Sequence, residues 1–224
     1  LDAASGAYSD GYGRLNTARG VAEALVEDVS HERHVLFVKS GYWLVIDGLS
    51  GANEHRFDLL YHAPPDVDMT IAAQNTVRLE NSAKSAALQI QVKGTAQLNL
   101  SVVRGADTPI QGWWSLNHHH KAPSNTLVAQ AEPACRMLFV TLIAVGPDYS
   151  LQQTSPTSDG ESGWQISGQH GLDLLQVSSK IAAQAGNDKP QFMNNLKLTR
   201  SPSNGGANSE ELVLFDNVRS SNEM

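Results

Sequence analysis

The chain has 224 residues, 41% of them hydrophobic, enough for one large domain with a real core or two small ones. Its 16 Lys and Arg against 23 Asp and Glu give a net charge of −7. That balance excludes indiscriminate nucleic-acid binding, and it suits an anionic polymer only where the few cations cluster in one groove.

The opening LDAASGAYSDGYGRL is polar and glycine-rich, with neither the basic start nor the apolar stretch of a signal peptide. A chain beginning on Leu1 reads as a processed product or an excised fragment. Beyond it, period-2 alternation dominates and helix periodicity is almost absent. Strands are expected over 22–28, 32–39, 42–48, 55–63, 68–73 and 76–80. The stretch HVLFVKSGYWLVIDGL (34–49) joins two of them at Ser40-Gly41 as a hairpin. Leu88, Ile90 and Val92 interleave with Gln89, Gln91 and Lys93, the pattern of a half-buried strand. Leu98, Leu100 and Val102 repeat it after Gly94-Thr95-Ala96, so the two read as an antiparallel hairpin.

Further strands are expected over 125–130 and 137–145. The longest apolar run, residues 138–145, is interrupted by Thr141 and falls far short of the roughly 18 residues of a membrane span. From about Asp148 the composition shifts. QQTSPTSDGESG (152–163) reads as a solvated loop, followed by short strands at 172–177, 196–199 and 212–218. AAQAGNDKP (182–190) and SPSNGGANSEE (201–211) separate those strands as loops. Three short strands make no core of their own and are expected to complete an edge. The fold expected is all-β: one large antiparallel β-sandwich over 1–224, main sheets about 8–147 and edge strands about 172–219.

Two stretches concentrate polar chemistry. Alternation puts His31, Arg33, Val35 and Phe37 on one strand face, Trp43, Val45 and Asp47 on another, and Arg56, Asp58, Leu60 and His62 on a third. Hairpin register sets Arg33 or His34 roughly opposite Asp47 or Gly48, and an Arg33–Asp47 pair there needs no catalysis. His31, Asp47 and His62 have the donor atoms of a zinc site, yet three ligands on three strands have no diagnostic spacing. The expected role of the set is structural pairing.

GWWSLNHHHKAP (112–123) is the second stretch. Alternation buries one of Trp113 and Trp114 and presents the other. An exposed indole beside Asn117, His118 and Lys121 resembles a sugar-stacking platform. A Trp plug under a solvated His loop, or a contact with another domain, accounts for the residues as well. The single Cys135 excludes an intrachain disulfide and a cysteine-rich zinc site, and its position at a strand head reads as a core thiol. Ser115 lacks a Gly-x-Ser-x-Gly context, and no glycine-rich phosphate loop occurs.

HERHVLFVKSGYWLVIDGLSGANEHRFDLLYHAPPDVDM (31–69) and GWWSLNHHHKAPSNTL (112–127) resemble the C-terminal part of heparinase II/III-type polysaccharide lyases. The carrying residues are His31-Glu32-Arg33, the hairpin ending on Asp47, His55, His62, the GWWS segment, and the 137–145 run closed by Gly146-Pro147. They occur in order over about 8–147. Gly48 stands where the family usually has Arg. The resemblance implies a parent enzyme with an α/α toroid followed by a β-sandwich, cleaving acidic polysaccharides by β-elimination. A base removes the C5 proton of a uronic acid and an acid, commonly Tyr, protonates the leaving oxygen.

The family's toroid residues and its HxHxD segment have no counterpart here, so the chain resembles the sandwich without the catalytic core. The expected function is to support one wall of the substrate cleft, with Trp113, Trp114, His118 and Lys121 as substrate contacts and no catalytic residue. The alternative is a non-catalytic carbohydrate-binding or interaction module. The segment alone is expected to be inactive. The implied partners are an acidic polysaccharide and the upstream toroid of the same protein, with no nucleic acid and no membrane span. No cofactor is certain; the resemblance allows structural zinc or calcium in the full-length enzyme. The implied location is periplasmic or secreted.

Overall fold

The computed structural model describes residues 1–8, 12–16, 21–26, 29–39, 41–73, 75–146, 148–154, 161–169, 171–178, 195–202 and 210–216. It is an all-β fold of antiparallel sheets, as alternation predicts. A seven-stranded sheet lies in the middle. Its order is Asp2–Tyr8, Ser30–Val38, Tyr42–His55, Ala134–Val145, Ala86–Gly94, Thr76–Asn81 and Asp68–Ala73. A three-stranded sheet, Leu98–Arg104, Asn125–Ala131 and Asp58–His62, packs on one of its faces. A five-stranded sheet, from Ser150–Thr154 through Glu161–Gly168, Gly171–Ser178 and Asn195–Pro202 to Glu210–Asp216, packs on the other. Among the described residues no helix is long and apolar enough to cross a membrane.

Two cores follow from this layering. Leu36, Leu44, Ile46, Val140 and Leu142 meet Leu151, Trp164, Leu175 and Leu198 of the five-stranded sheet. Val77, Ile90, Val92, Met137 and Phe139 meet Leu59, Leu127 and Ala129 of the three-stranded sheet. A strand covered on both faces needs apolar residues at successive positions, which explains the near-continuous apolar run in Ala134–Val145. Each fully buried large side chain there contributes about 1.5–3 kcal/mol through burial.

Several expectations are corrected. The two alternating segments around Gly94 do not pair with each other. Ala86–Gly94 pairs with Ala134–Val145 and Thr76–Asn81, whereas Leu98–Arg104 pairs with Asn125–Ala131 in the next layer. The connection changes layers and is fixed by Thr95, whose N–H donates to the Leu138 carbonyl (3.0 Å) and whose Oγ1 accepts from Leu138 N (3.2 Å). Alternation is identical for a hairpin and a layer change, so it cannot separate them. Gln89 and Gln91 are buried, because the five-stranded sheet covers the face they occupy. Both amides donate to the Tyr149 carbonyl (2.9 and 2.6 Å), and Gln91 Oε1 accepts from Leu151 N (2.8 Å).

The segment read as a 152–163 loop contains the end of the strand Ser150–Thr154 and the start of Glu161–Gly168, two strands that pair with each other; residues 155–160 lie outside the described residues. The later strands belong to the five-stranded sheet instead of extending an edge of the central one. They share a core with it, which removes the need for an independent one. The expected loop 182–190 lies outside the described residues, as do 203–209 of the 201–211 segment, whose ends belong to flanking strands. Strands Asp2–Tyr8 and Tyr12–Asn16 occupy the polar opening stretch, which alternation does not mark. Cys135 is exposed, not a core thiol; it sits at a register irregularity between Ala134 and Arg136 that turns the strand head outward.

Candidate functional site

The hairpin of Ser30–Val38 and Tyr42–His55 supplies the polar cluster. Its turn residue Ser40 lies outside the described residues; Gly41, at φ 146°, donates its N–H to the Val38 carbonyl (2.9 Å). Register places Arg33 directly opposite Asp47 and His31 opposite Leu49. Asp47 is fully buried, and its Oδ1 accepts from Arg33 Nε (2.6 Å). The same oxygen lies 2.7 Å from His31 Nε2. Arg33 and His31 are 45% and 24% exposed, so a buried anion holds two cation-capable groups at the surface. The Arg33–Asp47 pair expected from hairpin register is thus present.

Tyr61, from the three-stranded sheet, reaches the same interlayer space. Burial pushes its phenol up to about 12; Thr141 beside it works against that rise and the Asp47 charge adds to it. Asp47 Oδ2 has no hydrogen-bond partner among the described residues. His34 points to the opposite face, where burial lowers the affinity of its imidazole for a proton and the Asp47 charge partly restores it. On that face Tyr42 donates to Asp173 Oδ2, and Arg200 holds the same carboxylate through Nε (3.0 Å) and Nη2 (3.1 Å). Nothing in the sequence marks this trio, because its members lie far apart along the chain.

The set His31, Asp47 and His62 does not assemble. His62 lies in the three-stranded sheet opposite Thr126, exposed, with Nε2 3.2 Å from Gln111 Nε2. Among the described residues no group of three or more His, Cys, Asp or Glu is arranged to hold a metal ion. Arg33 on the Asp47 oxygen opposes a cation there as well. These residues do not fit a structural zinc.

Trp113 and Trp114 belong to the small hairpin of Trp113–Asn117 and His120–Pro123. Trp113 donates its indole N–H to the Ala106 carbonyl (2.9 Å), and Lys121 Nζ sits 3.8 Å from the centre of its ring. Trp114 lies opposite Ala122, half-buried like Trp113. His118 and His119 occupy the exposed tip, their rings edge to face at 4.0 Å between centroids. Trp113, Lys121 and His118 thus share one hairpin, separate from the His31–Asp47 cluster.

A half-exposed aromatic pair lies on the hairpin of Ser30–Val38 and Tyr42–His55. Phe37 and Trp43 face each other across the first hairpin and stack at 4.2 Å and 17°. Alternation puts Trp43 on the face of Asp47; only the extent of the neighbouring sheet leaves it 44% exposed.

The profile described as Heparinase II/III-like, C-terminal, matches residues 8–200. The chain belongs to that family. A crystal structure of a heparan sulfate lyase from Pedobacter heparinus is similar to this chain at 17% identity, covering 70% of it and 25% of that chain, with a TM-score of 0.54. A crystal structure of a heparinase III aligns at 14% identity over 68% of this chain and 24% of that one, again with a TM-score of 0.54. At these identities the likeness establishes the fold. This heparinase II/III-like chain spans about a quarter of the length of those structures. No curated protein sequence matches it.

Proposed function

We propose that this chain is the sandwich part of a lyase that cleaves uronic-acid polysaccharides by β-elimination, forming one wall of the substrate cleft. Family membership over residues 8–200 and the heparan sulfate lyase and heparinase III folds support the lyase class. The observation that carries the supporting role is the engagement of the acid–base candidates. Elimination needs a base at C5 and an acid at the glycosidic oxygen. Tyr42 is buried and bonded to Asp173, and Tyr61 is packed against the core between the central and three-stranded sheets. His31 is committed to the buried Asp47 carboxylate.

The proposed substrate contacts are on the small hairpin: Trp114, the Lys121–Trp113 pair and His118. The elimination machinery comes from an α/α toroid of the same protein, and the protein works in the periplasm or outside the cell. Equilibrium binding of the purified chain to alginate, heparan sulfate and hyaluronan tests the reading. Weak, salt-sensitive binding to at least one polymer is expected. Binding to none of them would refute it.

A further inference from the structure

The space between the central and three-stranded sheets is largely apolar, filled by Val77, Val92, Leu127, Ala129 and Phe139. One polar spot interrupts it. Alternation aims Val45 and Asp47 of Tyr42–His55, and Phe139, Thr141 and Ile143 of Ala134–Val145, toward the three-stranded sheet. Register pairs Asp47 with Phe139 and Val45 with Thr141, so Asp47 and Thr141 are diagonal neighbours on that face. Tyr61 comes from the facing sheet, where it pairs with Leu127 and packs against the same core.

These residues bring three oxygens to the spot. Asp47 Oδ2, Tyr61 Oη and Thr141 Oγ1 are each buried, and none has a hydrogen-bond partner among the described residues. Asp47 and Thr141 are fully buried as whole residues. The other Asp47 oxygen is engaged already, by Arg33 Nε and His31 Nε2. Both the Asp47 charge and the Thr141 hydroxyl act on the Tyr61 phenol, which places the three groups within reach of one another.

Their chemistry is complementary to one small ligand. A carboxylate oxygen accepts only, whereas each hydroxyl both donates and accepts. Water supplies two donors and two acceptor lone pairs, and a buried water typically makes about three hydrogen bonds to groups that lack other partners. Immobilising one water costs less than leaving a carboxylate oxygen and two hydroxyls unpaired inside a core. A cation is a poorer match, because Arg33 already compensates the Asp47 charge from 2.6 Å. An anion would be repelled by the same carboxylate.

We infer that a single water molecule is bound between the two sheets, donating to Asp47 Oδ2 and hydrogen-bonded to Tyr61 Oη and Thr141 Oγ1. The bridge ties Asp58–His62 to the central sheet through directional contacts, where apolar packing alone sets no exact position. It thereby fixes the three-stranded sheet, whose strand Asn125–Ala131 follows directly on the Trp113–Pro123 hairpin. Asp47 is then held from two sides, by Arg33 and His31 at its outer oxygen and by the water at its inner one.

A high-resolution crystal structure of the full chain tests this. One density peak, carrying no anomalous signal, should lie about 2.6–3.2 Å from all three oxygens. The double variant Tyr61→Phe with Thr141→Val keeps the packed shapes and removes two of the three partners, so the peak should vanish. Thr141→Ser retains the hydroxyl and should retain the peak. In solution, Tyr61→Phe alone should speed amide hydrogen exchange across Asp58–His62 about tenfold, the loss of one bridging contact. No peak in the wild-type chain would overturn the inference, as would a direct Tyr61–Asp47 hydrogen bond or a metal ion at the position. Wild-type exchange rates in Tyr61→Phe would overturn it as well.

Discussion

Replacing Asp47 by alanine removes the buried carboxylate that anchors Arg33 and His31. Two hydrogen bonds to charged groups are lost, each worth roughly 1.5–3 kcal/mol when fully shielded. Both partners are partly exposed, at 45% and 24%, so water and salt recover part of that interaction. Halving the sum gives a loss of about 1.5–3 kcal/mol. For a chain of this size that lowers the melting temperature by about 3–12 °C. Arg33→Met should cost at least as much, since it leaves a fully buried carboxylate with His31 as its remaining partner among the contacts described. Urea and thermal denaturation of both single variants and the double variant form a cycle. The pair is coupled if the double variant loses clearly less than the sum of the singles. Additivity to within about 0.5 kcal/mol would refute the reasoning, because residues in direct contact do not behave independently.

Acid should destabilise the fold through His34, whose proton affinity is lowered by burial from an ordinary value near 6.5. The unfolded chain then takes the proton first, so the stability is present above pH 6.5 and is lost as pH falls through it. Melting temperatures between pH 7.5 and 5 should drop, and less steeply in His34→Gln. Alkali acts through the buried tyrosines: Tyr61 is pushed up to about 12 and Tyr42 higher still, so unfolded tyrosines ionise first. Stability should hold below pH 10 and fall above it, with ionisation of Tyr42 and Tyr61 appearing together with unfolding; ionisation of both near pH 10 in the folded chain would contradict this. Tyr42→Phe removes the hydroxyl that ties the central sheet to Asp173 while Arg200 keeps the carboxylate paired, so a loss of about 1–2 kcal/mol in denaturant titration is expected.

Much of the architecture is legible because period-2 alternation survives in every half-buried strand, and because one hairpin register decides that Arg33 faces Asp47. Alternation does not reveal which layer a strand joins. Leu88–Val92 and Leu98–Val102 carry the same pattern, yet they lie in different sheets, and the change is made by hydrogen bonds of Thr95 to a strand more than forty residues away. The glutamines of Ala86–Gly94 look like a solvent face and are buried, since their amides are satisfied by Tyr149 and Leu151 from a distant segment. The same limit hid the Tyr42–Asp173–Arg200 trio and the exposure of Trp43. His31 and Asp47 meet because they lie on neighbouring strands, whereas His62, close in sequence, is carried into another sheet. Contacts set by a hairpin can be read from the sequence; contacts set by sheet stacking cannot.

The central claim is that this chain holds acidic polysaccharide without performing its elimination. The most direct measurement incubates the purified 224-residue chain with alginate, heparan sulfate and hyaluronan and follows the ultraviolet absorbance of newly formed unsaturated uronate ends. The account predicts a flat trace at every protein concentration. A steady rise proportional to protein, abolished by His31→Ala or His62→Ala, would contradict it and place the reacting groups within the chain.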